Sequence, residues 1–455
     1  MEQNKMGTKA VFPLLMSMAF PPMLSMLVQS LYNIVDSVYV AQISQDAITA
    51  VSLAFPIQNF LLAVAVGTGV GMNSYISRKL GMRDIKEANN AVTHGILLAV
   101  ISSIVFAIAS FFVITPFFNL FTDDPVIFQM GKQYIEVIML ISFGQMVHIA
   151  IEKVFQATGK MSLPMIMQAV GCIVNIILDP IFIFTFGLGV RGAAIATVIG
   201  QLTSMSIAIY MLFAKKNEVK FDLKSFHLDF NCIKQIYAVG VPTILMNSLG
   251  SVLVMGLNSL LVTFSNMAVS LFGIYYKLQT FVFMPVSGLT QGALPIFGYN
   301  YGAQNHQRLK DTLKYALMVA LLIMAVGTLL FEAAPGLLLK MFNADDEMLR
   351  IGIPALRIIA LSYLPAALGM IFPTLFQGMG KGLYSFIIFM TRQLVITLPA
   401  AYLLAPVLGL TGIWIAFPIA ECAAALIAFI LYLKIHKTDK VFIEQTLMAE
   451  AGELI

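Results

Sequence analysis

The 455-residue sequence is 59% hydrophobic and 11% charged, with a mean hydropathy of +0.88, whereas an ordinary soluble domain carries about 25% charged residues. That excludes a soluble fold, and long apolar runs without period-two alternation exclude a membrane β-barrel, so the class is all-α integral membrane protein. The net charge of +4 comes from Lys and Arg in short clusters between apolar runs, a topology signal that gives no support to a nucleic-acid partner.

Apolar runs long enough to cross hydrocarbon predict spans at 10–42, 48–78, 90–114, 130–156, 161–186 and 192–214, then at 233–263, 268–299, 312–333, 349–377, 382–404 and 411–434. Twelve helices follow, with Ser44-Gln45-Asp46 and Ser265-Asn266 as the turns after the first span of each set. With the N-terminus inside, 20 of the 27 Lys and Arg fall on the cytoplasmic side, and only Lys132, Arg191, Lys340 and Arg350 fall outside. Lys277, Arg357 and Arg392 lie within spans. Both termini and the polar stretch Lys215–Asn231 are therefore expected in the cytoplasm. The first apolar run has no cleavage-type end, so no signal peptide is expected. Cys172, Cys232 and Cys422 lack CxxC spacing and read as packing residues.

The chain repeats itself at an offset of 221 residues: Pro21/Pro242, Ser44/Ser265, Gly67/Gly288, Gly71/Gly292, Gly81/Gly302 and Asp124/Asp345 all match. Phe155-Gln156-Ala157-Thr158-Gly159-Lys160 returns as Phe376-Gln377-Gly378-Met379-Gly380-Lys381. Each unit holds six spans, an even number, so the two lobes, 1–220 and 221–455, insert in the same orientation, which is transporter architecture.

Ionisable residues inside a span are costly and are functional candidates by default. Gln29, Asn33 and Asp36 form a polar stripe on the first helix, with Tyr32 beside it, that is expected to face a bundle interior. Asn175 lies one turn before Asp179, and Pro180 removes the N–H that would have bonded the Ile176 carbonyl, so several oxygens gather within a turn. Such surroundings suit a proton or a small hard cation. Ala193, Thr197, Gln201 and Ser204 make a stripe on the next span that could face it. The competing reading is that these polar stripes are interhelical hydrogen-bonding glue. Arg392 and Glu421 are expected to pair across the last two spans, and Glu421 is also a candidate for a substrate cavity. His94 and His148 read as packing residues, and Gly67-Thr68-Gly69-Val70-Gly71 as a close helix contact.

Pro21 to Asp36, Gly71 to Gly81, Asn175-Ile-Ile-Leu-Asp179-Pro180 and the run Gln291-Gly292-Ala293-Leu294-Pro295-Ile296-Phe297-Gly298-Tyr299-Asn300-Tyr301-Gly302 resemble the multidrug and toxic compound extrusion (MATE) family, in its DinF/MepA-type branch. The resemblance implies a V-shaped pair of six-helix lobes and a first helix that bends at Pro21. It implies a cation-coupling site at Asp36, Tyr134, Asn175, Asp179 and Thr197, where Asp36, Asn175, Asp179 and Thr197 would ligate sodium if sodium is the coupling ion. Gln29, Tyr32, Asn33, Gln201 and Glu421 would then line the substrate cavity. Spans 233–263 and 349–377 contain no Asp or Glu, unlike the NorM-type branch.

The expected function is an H+- or Na+-coupled antiporter exporting lipophilic cationic drugs and other small toxic organic compounds across a bacterial cytoplasmic membrane. It would act as a monomer among membrane lipids with no cofactor beyond the coupling ion. The alternative is a lipid-linked oligosaccharide flippase of the same superfamily, which would want a strongly cationic cavity. No nucleophile-and-base or His/Asp metal constellation points to an enzyme.

Overall fold

A computed structural model of the chain describes residues 4–214, 217–224 and 226–439. Among these residues every regular element is helical. They are α1 (Lys5–Thr8), α2 (Val11–Ile43), α3 (Gln45–Gly81), α4 (Ile85–Phe121), α5 (Pro125–Leu140), α6 (Phe143–Ala157), α7 (Ser162–Pro180) and α8 (Gly189–Ala214). There follow α9 (Phe230–Leu261), α10 (Asn266–Gly302), α11 (His306–Ala333), α12 (Pro335–Lys340), α13 (Asp346–Ala360), α14 (Tyr363–Gly378), α15 (Gly382–Met390), α16 (Leu398–Leu408) and α17 (Leu410–Thr438). Two stretches of π-helix, Ile181–Thr185 and Thr391–Thr397, continue α7 and join α15 to α16.

Ten of these helical runs are long and apolar enough to cross a membrane alone, and two bent pairs bring the number of spans to twelve. The spans expected at 130–156 and 349–377 are these bent pairs: α5 and α6 meet at 48° and α13 and α14 at 45°. Serine stands at each break. In the second, the Ile359 carbonyl is taken by the Ser362 N–H at 2.9 Å and by its hydroxyl at 2.6 Å, a local bond that competes with the helix ladder.

The 221-residue repeat reappears as repeated helix caps. Ser44 and Ser265 each accept a 3.0 Å bond from the N–H three residues on, starting α3 and α10. Asp84 and Asn305 start α4 and α11 through 3.1 Å bonds, and Asp124 and Asp345 cap α5 and α13 at 2.8 Å. Gly159 and Gly380, at φ +79° and +81°, turn the chain after α6 and α14 in the left-handed region that favours glycine.

The chain forms two compact units, Phe20–Asn247 and the described part of Met1–Ala19 with Ser248–Ile455. The divisions fall inside α2, beside Pro21, and inside α9, shortly after Pro242, rather than in the loop near residue 220. Glycines make room for the exchanged half-helices. A Cβ on Gly71 would lie 2.1 Å from the Ile236 carbonyl oxygen of α9, and one on Gly292 would lie 2.7 Å from the Ala19 Cα of α2. Gly67 likewise meets Gly240 and Ile244, so the glycine run of α3 is a close helix contact.

Each unit also has a clasp at one end. Arg308 donates to the carbonyls of Met6 at 3.0 Å and Lys9 at 2.7 Å and to Asn300 Oδ1 at 3.2 Å, which ties α1 to α10 and α11. In the other unit His94 Nδ1 meets the Asn90 carbonyl at 2.9 Å and Nε2 accepts the Asp229 N–H at 3.0 Å. With Asn89 and Thr93 binding the N–H groups of Lys220 and Asp222, the segment leading into α9 is held on α4.

Candidate cation site

In the unit Phe20–Asn247, α7 and α8 pack closely because glycines face each other. A Cβ on Gly200 would stand 3.1 Å from Asn175 Cβ, so no larger residue leaves α8 this close to α7. At this contact Asn175 Nδ2 donates to Thr197 Oγ1, a turn before Gly200, at 3.3 Å and to Asp179 Oδ1 at 3.5 Å. All three residues are buried, Asp179 completely. The π-helical stretch begins just past Asp179 and Pro180, where the missing proline N–H disturbs the ladder, and such stretches often mark functional sites.

Asp36 on α2 acts electrostatically on Asp179, and both carboxyls act on Tyr32 and the buried Tyr134. The Tyr32 hydroxyl lies in hydrogen-bond reach of Thr197, and the Tyr134 hydroxyl in reach of Gln58 on α3. Asp36, Tyr134, Asn175, Asp179 and Thr197 thus gather in one place.

The remaining hydrogen-bond capacity is one-sided. Asp36 Oδ1, Asn175 Oδ1 and Asp179 Oδ2 are buried and make no hydrogen bond within the protein, as does Gln201 Oε1 a turn beyond Thr197. All are acceptors. Buried acceptors without donors are costly, and a proton or a small hard cation is the kind of partner that would satisfy them. Two carboxyls with an amide and a hydroxyl offer the oxygen ligands that a small hard cation takes, and among the described residues no three His, Cys, Asp or Glu side chains group together.

Some expectations need adjustment. Asn33 is exposed, while Gln29, Tyr32 and Asp36 are partly buried. At about 100° per residue, Gln29 and Asp36 nearly share one azimuth while Asn33 turns about 60° from Asp36, so the stripe is too broad to be buried throughout. Pro21 lies buried in the interior of α2. Glu421 belongs to the other unit and pairs with Arg392, Nη1 to Oε1 at 3.6 Å, as the sequence suggested.

Gln58, Gly171 and Gly200 were not singled out by sequence reasoning. The glycines had a signal, since each lies one turn from a polar site residue on its own helix. Gln58 had none. Glu152 was also passed over. It pairs with the buried Lys153 at 2.9 Å and accepts from Gln156 at 2.8 Å, forming a separate polar cluster on α6. An apolar cavity of about 300 Å3 between α3, α4 and α5, walled by Phe60, Phe106 and Phe117, contains none of the site residues.

Comparison with known proteins agrees with this architecture. The sequence matches the MatE family over residues 21–181 and 242–403. The multidrug export protein MepA of Staphylococcus haemolyticus (strain JCSC1435) is 28% identical over 427 residues, 93% of this chain and 94% of its own length. A MATE crystallised in the bent conformation superposes with a TM-score of 0.92 at 26% identity, covering 97% of this chain and 99% of that one. An outward-facing multidrug resistance MATE transporter of the MOP superfamily gives 0.90 at 26% identity, covering 96% and 98%. A twelve-span helical fold, a repeat spread over both units and a family match across most of the chain together make this protein a member of the MatE family.

Proposed function

We propose that the protein is a multidrug efflux antiporter that exports small lipophilic organic cations across a bacterial cytoplasmic membrane in exchange for a proton or a sodium ion. What carries the reading is the set of unpartnered oxygens around Asp36, Asn175 and Asp179. Two nearby carboxyls in a low-dielectric span cannot both stay ionised cheaply, so they share a proton or hold one sodium ion between them. Thr197 and Tyr134 complete the shell, and Gln29, Tyr32, Asn33 and Gln201 stand along its approach. Exchange follows because cation and drug favour opposite conformations, each shifting a two-state equilibrium by its differential affinity. The family membership and the multidrug export named for the Staphylococcus relative support the same reading.

The test is transport by the purified protein in sealed vesicles. An imposed proton or sodium gradient should drive uptake or release of a fluorescent organic cation, and adding that cation should in turn move the coupling ion. If the cation crosses without any matching ion flux under either gradient, antiport is excluded.

A further inference from the structure

In the other unit, where α10, α14, α17 and the π-helical stretch Thr391–Thr397 meet, several buried polar atoms stand together without hydrogen bonds. Arg392 Nη1 stands 3.6 Å from Glu421 Oε1, longer than the roughly 2.7–2.9 Å of a charge-assisted hydrogen bond. Arg392 Nε and Nη1, Glu421 Oε2 and the hydroxyls of Tyr275 and Tyr363 make no hydrogen bond within the protein. Both tyrosines are buried, at 1% and 0% exposure. Tyr275 lies within electrostatic reach of Tyr363, Glu421 and Arg392. Glu421 Oε2 and Arg392 Nη1 would lie 3.4 and 3.8 Å from a Cβ on Gly369, so both aim at the space a side chain there would take.

The surroundings are aromatic. Tyr275 packs edge-on against Phe417 with ring centroids 5.7 Å apart, and Tyr363 against Phe283 at 5.5 Å and Phe331 at 5.2 Å. The Arg392 guanidinium also lies 5.6 Å from the Phe389 ring centre. A carboxylate among aromatic rings attracts a positive charge from an organic ligand. An anion would meet Glu421 and the negative ring faces instead. Arg392 holds Glu421 only loosely and has Phe389 to fall back on, so an incoming cation replaces one positive charge with another. Glu421 is not left alone.

We propose that this cluster is a second ligand site, which binds the ammonium head of a small organic cation against Glu421, with Tyr275, Tyr363 and Phe417 as aromatic walls and Arg392 as an internal counter-ion that the ligand displaces. The inference rests on the export reading and deepens it, by assigning the cationic head of an exported substrate to a particular carboxylate. The two π-helical stretches are placed alike, one beginning just past Asp179 and one carrying Arg392, and such stretches often mark functional sites.

Binding of benzyltrimethylammonium and of its uncharged carbon isostere neopentylbenzene to the full-length detergent-solubilised protein tests the proposal. The ammonium should bind at least about tenfold more tightly than the isostere, and Glu421→Gln should erase most of that difference. Arg392→Gln should tighten ammonium binding, because the internal competitor is gone. Phe417→Leu removes a ring and no charge, so it remains informative if either charge variant fails to fold; it should weaken the ammonium severalfold and leave the isostere unchanged. Unchanged ammonium affinity in a folded Glu421→Gln or Phe417→Leu protein, or weaker affinity in a folded Arg392→Gln protein, overturns the site. If the ammonium binds through Glu421 and yet the wild-type protein exports no cation, the export reading falls and the binding site stands. Export by the wild type together with unchanged ammonium affinity in Glu421→Gln overturns the binding site and leaves the export reading in place.

Discussion

Gly171 and Gly200 meet backbone to backbone: a Cβ on Gly200 would stand 2.7 Å from the Gly171 carbonyl oxygen, and one on Gly171 would stand 2.9 Å from that of Gly200. This contact sets the separation of α7 and α8, and with it the 3.3 Å bond between Asn175 and Thr197. Gly200→Ala should force the helices apart, costing about 1–3 kcal/mol of stability. Transport should fall further than in Thr197→Ala, which removes a ligand without moving a helix. Melting temperature and efflux rate measured on both variants decide it, and wild-type efflux by Gly200→Ala would show that the helix spacing is irrelevant to the site.

Asp36→Asn and Asp179→Asn should each abolish ion-driven efflux while leaving expression and binding of an organic cation largely intact, because shape is kept and the titrating group is lost. Thr197→Ala should weaken transport less, since Asn175 keeps its second partner Asp179. The measurement is gradient-driven efflux across a range of external pH. Should both Asn variants export at the original rate with the original pH dependence, coupling resides elsewhere.

The Arg308 clasp predicts a local effect. Hydrogen bonds from a charged donor contribute about 1.5–3 kcal/mol each, and Arg308→Ala removes those to Met6 and Lys9. Trypsin should then cut after Lys5 or Lys9 much faster than in the wild type, while interior sites stay protected. An unchanged cleavage rate would mean that packing alone holds α1.

Topology follows from the uneven distribution of Lys and Arg. A single cysteine at Asn217 should resist an impermeant label in intact cells, and one at Ala344, before the Asp345 cap, should react. Labelling of position 217 from outside would invert the assignment of the termini.

Much of this fold could be read from the chain, because lipid leaves the backbone few choices and the repeat doubles every signal. Ser44 and Ser265, or Asp124 and Asp345, are caps that each vouch for the other. The breaks at Ser142 and Ser362 were not legible, since apolar residues continue on both sides and hydropathy does not report a bend. At the site, Asn175, Asp179 and Thr197 were legible as turn-spaced polar residues on adjacent spans. Gln58 was not, because its approach to Tyr134 joins α3 to α5 through packing that no periodicity encodes. The unit boundaries were hidden for the same reason: Pro21 and Pro242 mark positions in helices, and only the contacts of Ala19 and Ile236 reveal which neighbours each half-helix keeps.

Those exchanged half-helices bear on the order in which the protein is made. The start of α2 leaves the ribosome before its seat at Gly292 and the Arg308 clasp on the residues just before it, which are synthesised only after the whole first repeat. Until α10 and α11 have inserted, the segment up to Ala19 lacks its native neighbours, while the start of α9 finds the partner it needs, Gly71, already in the membrane. Maturation is therefore lopsided along the chain. A gene split in the loop near residue 220 would yield two pieces that each lack a native half-helix and carry one belonging to the other.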